Sequence, residues 1–142
     1  MRIAFGTDEQ TTVTDAVEAW LTGHGHDVVV PAERGGPWPA VGAAVGRAVA
    51  SGEADCGVVC CWTGTGVSIA ANKVPGVRAA LCTDRETAEG SRRWNDANVL
   101  AFGLRLTTEA LAEELLVAFL GTDVDADERA LIDQVDGPTN AS

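Results

Sequence analysis

Positive charge is scarce in this chain. Its 142 residues include ten lysines and arginines against 21 aspartates and glutamates, a net charge of −11. Lysine occurs once, as Lys73, and no basic run is longer than Arg92-Arg93. Proteins that grip nucleic acid or anionic lipid set clustered cations against phosphates, so neither nucleic acid nor membrane is expected as a partner. Long hydrophobic runs are missing too. Nothing approaches the roughly 18 consecutive apolar residues of a membrane span, and Met1-Arg2-Ile3-Ala4-Phe5-Gly6 lacks the apolar stretch of a secretory signal. The expectation is a cytoplasmic, unprocessed chain. Disulfide and metal frameworks are equally unsupported. Cys56, Cys60, Cys61 and Cys82 stand apart from His24 and His26, and three of the four share one apolar run. Free thiols and no metal are expected.

What is present fits one ordinary globular domain, 46% apolar and 22% charged. Arg2 to Gly6 is a strand opening into a loop. Val13, Ala16, Val17, Trp20 and Leu21 make one face of a helix that Gly23 and Gly25 end. Val28 to Val30 is a second strand, and Pro31 to Pro39 reads as loop, with Trp38 read as packing ahead of the alternative of a third aromatic wall at the site. Val41, Ala44, Val45, Ala48 and Val49 repeat the helical spacing, closed by Gly52. Cys56 to Cys61 is a continuous apolar run, a buried strand. A short helix over Val67 to Lys73 follows, then a strand from Val77 to Cys82, a helix capped by Asp84 and running to about Trp94, and a strand from Asn98 to Phe102. A helix capped by Thr107 carries Leu111, Leu115, Ala118 and Phe119 to Gly121, and an acidic helix spans about Asp125 to Val135. Five strand–helix alternations predict a three-layer α/β/α, Rossmann-like fold around a five-stranded parallel sheet. The domain is expected over residues 1–135, with a polar tail at 136–142. Ligands of such sheets sit beyond the carboxyl ends of the strands. Attention therefore falls on Thr7 to Thr12, Cys61 to Gly66, and Thr83 onward.

The most informative of these is Cys61-Trp62-Thr63-Gly64-Thr65-Gly66, between a strand and a helix. Glycines let a backbone approach a ligand closely. The free amides of a helix start favour an anion, and the same dipole favours a thiolate. A thiol beside a row of amide donors suits removal of a proton α to a carbonyl, with the amides holding the enolate oxygen. A simple tight turn remains the plainer reading of the loop alone. Asp8, after the first strand, suits either a turn or a contact to substrate hydroxyls.

The run Cys61 to Lys73, C-W-T-G-T-G-V-S-I-A-A-N-K, resembles the C-G-T-G-x-G-x-S-I-A-A-N-K block of type B ribose-5-phosphate isomerases, a family that includes galactose-6-phosphate isomerase subunits. Val77 to Cys82 and Asn95 to Gly103 resemble its next two blocks, and Ile3 to Asp8 and Gly25 to Val29 match more loosely, so the likeness runs to about Gly121. The resemblance implies an aldose–ketose isomerase acting on a sugar or sugar phosphate without metal or other cofactor, as a homodimer or tetramer with sites at the subunit interface. It implies Cys61 as the base moving a proton between C1 and C2, Thr63 assisting at the oxygens, the amides of Gly64, Thr65 and Gly66 at the enediolate, and Asp8 and Asn95 on hydroxyls.

Four departures bear on the substrate. Glu9 and Trp94 stand where the family has histidines, the second credited with ring opening; Trp62 replaces a glycine; and Arg129 is the only arginine left after Arg105 to meet a phosphate. A carboxylate 4 Å from another unit negative charge is repelled by about 1 to 4 kcal/mol. Glu9, Trp62 and Trp94 are therefore expected to line an altered substrate site, one not suited to ordinary ribose 5-phosphate. Arg78, Arg92 and Arg93 are weaker candidates for anion contacts. Loss of both histidines also leaves open a non-catalytic sugar-binding or partner subunit.

Overall fold

Strand β3, Cys56–Cys61, lies at the middle of the sheet because every one of its residues is buried, three on each face. The computed structural model describes residues 1–137. Its five strands, β1 (Arg2–Thr7), β2 (Asp27–Val29), β3, β4 (Ala79–Leu81) and β5 (Val99–Gly103), are all parallel in the order β2-β1-β3-β5-β4. Alternation along the strands sorts two cores. Ile3, Phe5, Val58, Cys60, Leu100 and Phe102 face helices α1 (Thr12–Gly23), α4 (Arg85–Arg93) and α5 (Glu109–Gly121). Ala4, Val59, Cys61, Val99 and Ala101 face α2 (Trp38–Ala50) and α3 (Thr65–Asn72). The three-layer parallel architecture expected from the sequence is the one observed.

The second face is packed unusually close. A methyl on Gly57 would stand 2.6 Å from the side chain of Val45, and one on Gly42 would stand 2.7 Å from the Val67 carbonyl oxygen. Missing side chains thus let α2 settle onto both the sheet and α3. Edge strand β4 is closed by a side chain: Asn72, at the end of α3, donates to the Ala79 carbonyl at 3.0 Å and accepts from its amide at 2.7 Å.

Several boundaries differ from the sequence reading. Helix α2 begins at Trp38, inside the segment read as loop, because Pro39 falls in the first turn, where a proline's missing N–H costs nothing. The cap of α5 is Thr108, which accepts from the Leu111 amide, rather than Thr107, which is buried. Edge strand β4 is three residues, shorter than the run expected from Val77 to Cys82, and β2 is Asp27–Val29, one residue earlier than expected. Helix α3 starts two residues earlier than expected, at Thr65. The acidic C-terminal segment is a 3₁₀ turn, Ala126–Glu128, followed by α6, Arg129–Asp136. Asp136 is therefore helical rather than tail, and residues 138–142 of the expected tail lie outside the described residues.

Gly64 is the tightest of the glycines near the chemistry. Its φ of +79° is left-handed, and a methyl there would lie 2.6 Å from the Phe102 carbonyl carbon and 2.8 Å from the Gly103 nitrogen. Gly76 has a similar φ, +87°, with open space around it. Gly64→Ala should therefore destabilise by more than the roughly 1–2 kcal/mol that a left-handed backbone alone costs, and Gly76→Ala by about that amount only. Urea unfolding of both variants checks this; equal losses would show that the loop does not press on β5.

Candidate active site

The carboxyl ends of β1 and β3, with the start of α3, enclose a cleft of about 300 Å³ lined by Asp8, Trp38, Cys61, Trp62, Thr63, Thr65 and Gly66. Cys61 is the last residue of β3, and its side chain lies on the α2–α3 face, only 6% exposed but bordering the cleft. Its neighbour Cys60 lies on the opposite face. All four cysteines are free. Burial pushes the thiols of Cys56 and Cys82 up to about 11 and that of Cys60 up to about 12, leaving these three inert at neutral pH.

The loop after Cys61 is held between two packing contacts. On one side Gly64 and Gly103 meet backbone to backbone: a methyl on Gly103 would lie 2.6 Å from the Thr63 carbonyl oxygen. The amides of Leu104 and Arg105 donate to the carbonyls of Cys61 and Trp62, both at 2.9 Å, carrying the sheet's bonding past β5. On the other side the Trp38 ring lies on Gly66, where a methyl would come within 2.8 Å of it. Helix α3 then begins at Thr65, and the preceding N-cap residue, Gly64, has no side chain to cap it. Its first amides point from the helix start without an intrahelical acceptor, as at every helix N-terminus. The hydroxyls of Thr63 and Thr65 are 2.8 Å apart across this start.

Asp8 follows directly after β1, and its Oδ1 is buried without a hydrogen-bond partner. Burial, followed by the neighbouring Glu9 charge, raises its carboxyl above the usual range against a smaller lowering by a backbone hydrogen bond. An orphaned acceptor of this kind is one a substrate hydroxyl satisfies. Glu9 itself is exposed and outside the cleft lining; its backbone is fixed by Thr7, whose hydroxyl donates to the Glu9 carbonyl at 2.6 Å.

Two of the tryptophans form walls. Trp62 is 58% exposed and Trp38 45%, both on the cleft. Trp38 combines the two readings weighed for it, packing and an aromatic wall: it packs on Gly66 with one part and faces the cleft with the rest. Sequence gave no local sign of this, since the contact joins α2 to α3. Arg105 was also not singled out; it is exposed and sits just past β5, beside Trp62 and Thr63. Nothing local in the sequence marks it, because its place beside the loop follows from the sheet order, in which β5, not β4, lies next to β3.

Other expected site residues lie elsewhere in the chain. Trp94, 54% exposed, and Asn95 border a larger cavity of about 680 Å³ between the α3–β4 turn and α6, which includes Val74, Pro75, Leu131 and Val135. That cavity holds no thiol or histidine, so the chemistry is assigned to the smaller cleft. Arg129 donates to Asp96 at 2.8 Å and lies 3.8 Å from Asp133. Arg78 and Arg92 also pair with Asp96, at 3.3 and 3.0 Å. Asp96, with a left-handed φ of 48°, thus gathers three guanidiniums and fixes the turn that displays Trp94 and Asn95. Burial alone would raise its carboxyl, but the Arg129 hydrogen bond and the three cationic charges outweigh this and hold it below the ordinary value. Within one chain, then, Asp8, Cys61, Trp62, Thr63, Gly64, Thr65 and Gly66 come together, and Trp94, Asn95 and Arg129 do not join them. Among the described residues no cluster suited to a metal ion occurs, and no helix is long and apolar enough to cross a membrane.

A doubly covered parallel sheet with a thiol, paired hydroxyls and free helix amides at the end of its middle strand defines an α/β protein with a ligand cleft in the position usual for that class. The sequence model of the Ribose/Galactose Isomerase family matches residues 3–135, and the chain belongs to that family. It is 39% identical to ribose-5-phosphate isomerase B of Escherichia coli over 132 residues, 87% of this chain and 86% of that one. It is 32% identical to the D-erythrulose-4-phosphate isomerase of Pectobacterium atrosepticum over 133 residues, 88% of this chain and 86% of that one. Among solved structures, ribose-5-phosphate isomerase B of Clostridium thermocellum superposes with a TM-score of 0.90 at 35% identity, covering 96% of this chain and 95% of its own.

Asp8 and Asp96 should respond oppositely to pH. Asp8 binds its proton more tightly when folded, so its ionisation costs stability once the pH rises above the unfolded value of 3.8. Asp8→Asn should raise the melting temperature at pH 7 and lose that advantage below pH 3.8. Asp96 binds its proton less tightly when folded, so its contribution is present above 3.8 and disappears as the pH falls through the lower folded value. Asp96→Asn should cost about 1–3 kcal/mol at pH 7 and nothing at strongly acid pH. Thermal melts of both variants across pH 2–7 read the two signs, and melting curves that shift in the same direction would overturn the assignment.

Proposed function

We propose that the chain is an aldose–ketose isomerase in which Cys61 moves a proton between C1 and C2 of a sugar phosphate other than ordinary ribose 5-phosphate. The observation that carries this reading is the meeting, in one cleft, of the Cys61 sulfur, the Thr63–Thr65 hydroxyl pair, uncapped α3 amides and the orphaned Asp8 oxygen. The Cys61 thiolate takes the C2 proton, and the electron pair moves into a C1–C2 double bond while the carbonyl oxygen becomes anionic. The amides at Gly64, Thr65 and Gly66 hold that oxygen, as preorganised donors do for developing charge. Thr63 passes the proton between O2 and O1, and the thiol returns its proton to C1, completing the exchange without an external oxidant or reductant. Asp8 accepts from a substrate hydroxyl. Trp62 and Trp38 wall the cleft, and Arg105 supplies positive charge at its rim.

Trp94, Asn95 and Arg129 act, on this reading, across the interface of a homodimer, where a second copy brings them to the cleft. Arg129 meets the substrate's anion there only in competition with Asp96, its present partner. This weak anion provision, with Glu9 beside Asp8, supports a substrate other than ribose 5-phosphate.

In D₂O the enzyme should exchange the C2 hydrogen of its substrate with solvent. Cys61→Ala should reduce that exchange on the order of 10²–10⁴-fold with little change in melting temperature. Product NMR over a panel of aldoses, ketoses and their phosphates checks both. Undiminished exchange in the variant would remove Cys61 from the mechanism.

A further inference from the structure

After the exposed Arg2, strand β1 buries every residue, and none but the last, Thr7, carries a polar side chain. A hydroxyl in such a place costs free energy unless it is hydrogen-bonded, and valine would fill the same volume without that cost. The Thr7 hydroxyl is bonded twice, and both times to Glu9: it donates to the Glu9 carbonyl at 2.6 Å and accepts from the Glu9 amide at 3.2 Å. Glu9 is an exposed residue, within reach of water, so these bonds do more than satisfy its backbone. They close a small ring around the residue between, Asp8.

The alternation of β1 leads Asp8 into the cleft. Ala4 and Gly6 face α2, where a methyl on Gly6 would stand 2.8 Å from the side chains of Val41 and Val45. Asp8 continues that parity, on the face that also carries Cys61, and lines the cleft. Thr7 has the parity of Ile3 and Phe5 and pairs in register with Cys60 of β3. Its hydroxyl thus reaches around from the other side of the chain to fix the peptide beyond Asp8. On the near side the Gly35 amide donates to the Thr7 carbonyl at 3.0 Å. With the main chain held on both sides, the carboxylate stays in the position that leaves its Oδ1 buried and unpartnered.

Resting on the isomerase reading, we propose that Thr7 is a positioning residue of the site: its hydroxyl clamps the chain beyond Asp8 and keeps the Asp8 carboxylate in the cleft, where it accepts from a substrate hydroxyl outside the C1–C2 pair. A buried carboxylate oxygen without a partner is disfavoured in the free protein, and without the clamp it turns to water. Substrate then has to draw it back on binding. That penalty is the same in the ground state and the transition state, because the hydroxyl concerned takes no part in the proton transfer. It therefore raises KM and leaves kcat alone.

Two variants of the full-length protein separate positioning from packing. Thr7→Val keeps the volume and removes the hydroxyl; Thr7→Ser keeps the hydroxyl and removes a methyl. The carboxyl carbon of Asp8 is first titrated by NMR in the ligand-free proteins. It should titrate above the ordinary 3.8 in the unaltered protein and in Thr7→Ser, and return towards 3.8 in Thr7→Val. Kinetics with ribose 5-phosphate and D-erythrulose 4-phosphate should then show KM raised on the order of 10-fold in Thr7→Val, with kcat unchanged. Thr7→Ser should keep both constants, although it is the variant that loses packing and melts lower. An unmoved Asp8 titration in Thr7→Val, an equal rise of KM in both variants, or a fall in kcat with KM unmoved would overturn the proposal. Failure of the unaltered protein to turn over either sugar counts against the isomerase reading and leaves the clamp to the titration alone, which a shift in Thr7→Val upholds and its absence overturns.

Discussion

The contact between Gly64 and the end of β5 is the constraint on which the cleft depends. The backbone at Gly64 is left-handed and touches the main chain of Phe102 and Gly103 with no room for a Cβ. This contact turns the chain sharply after Cys61, so that α3 starts within a few residues of the thiol. The hydroxyls of Thr63 and Thr65 then face one another, and the helix start is left uncapped. The same economy of side chains operates on the other flank. Gly42 and Gly57 let α2 lie close to α3 and the sheet, and Gly66 accepts the Trp38 ring. Four glycines thus set the positions of the groups that line the cleft.

Two aspartates illustrate how the molecule divides stability from reactivity. Asp96 is surrounded by Arg78, Arg92 and Arg129, and its charge is well compensated. It ties the start of β4, the end of α4 and the start of α6 to one turn. Asp8 is the reverse case: a buried oxygen without a partner, next to a second negative charge. A protein free to maximise its own stability would have paired or removed such a group. Its presence in the cleft, directly after β1, fits a carboxylate that waits for a ligand hydroxyl.

Much of the fold was legible because its signals are local. The unbroken apolar run of Cys56–Cys61 could only be a strand buried on both faces, and Asp84 caps α4 through the Thr87 amide as its position suggests. Alternation of strands and helices was sufficient for a parallel sheet. The start of α2 was hidden because Pro37-Trp38-Pro39 has the composition of a loop, although a proline early in a helix is no obstacle. In the cleft, Asp8, Cys61 and the Thr63 to Gly66 loop could be named because they follow strand ends directly. Arg105 could not, since it reaches the loop from beyond β5, and the wall reading of Trp38 could be weighed but not decided, since α2 carries that ring to the loop. The separation of Trp94, Asn95 and Arg129 from Cys61 was equally unreadable, because neighbouring blocks of a family motif need not meet in the same chain. Arg129 was expected to be available to an anion, yet its partner Asp96 lies in the motif itself, a pairing that sequence spacing cannot reveal.

The side chain of Asn72 imitates the peptide of an absent neighbouring strand, occupying both polar groups of Ala79 on the outer side of β4. An exposed strand edge is normally an open template for another chain. Here the template is occupied from within, and only two further residues of β4 remain beyond it. Growth of the ladder from this side, whether into fibrils or into a continuous intermolecular sheet, has almost nothing to build on, so copies of the chain that associate along this flank must do so through helices and loops.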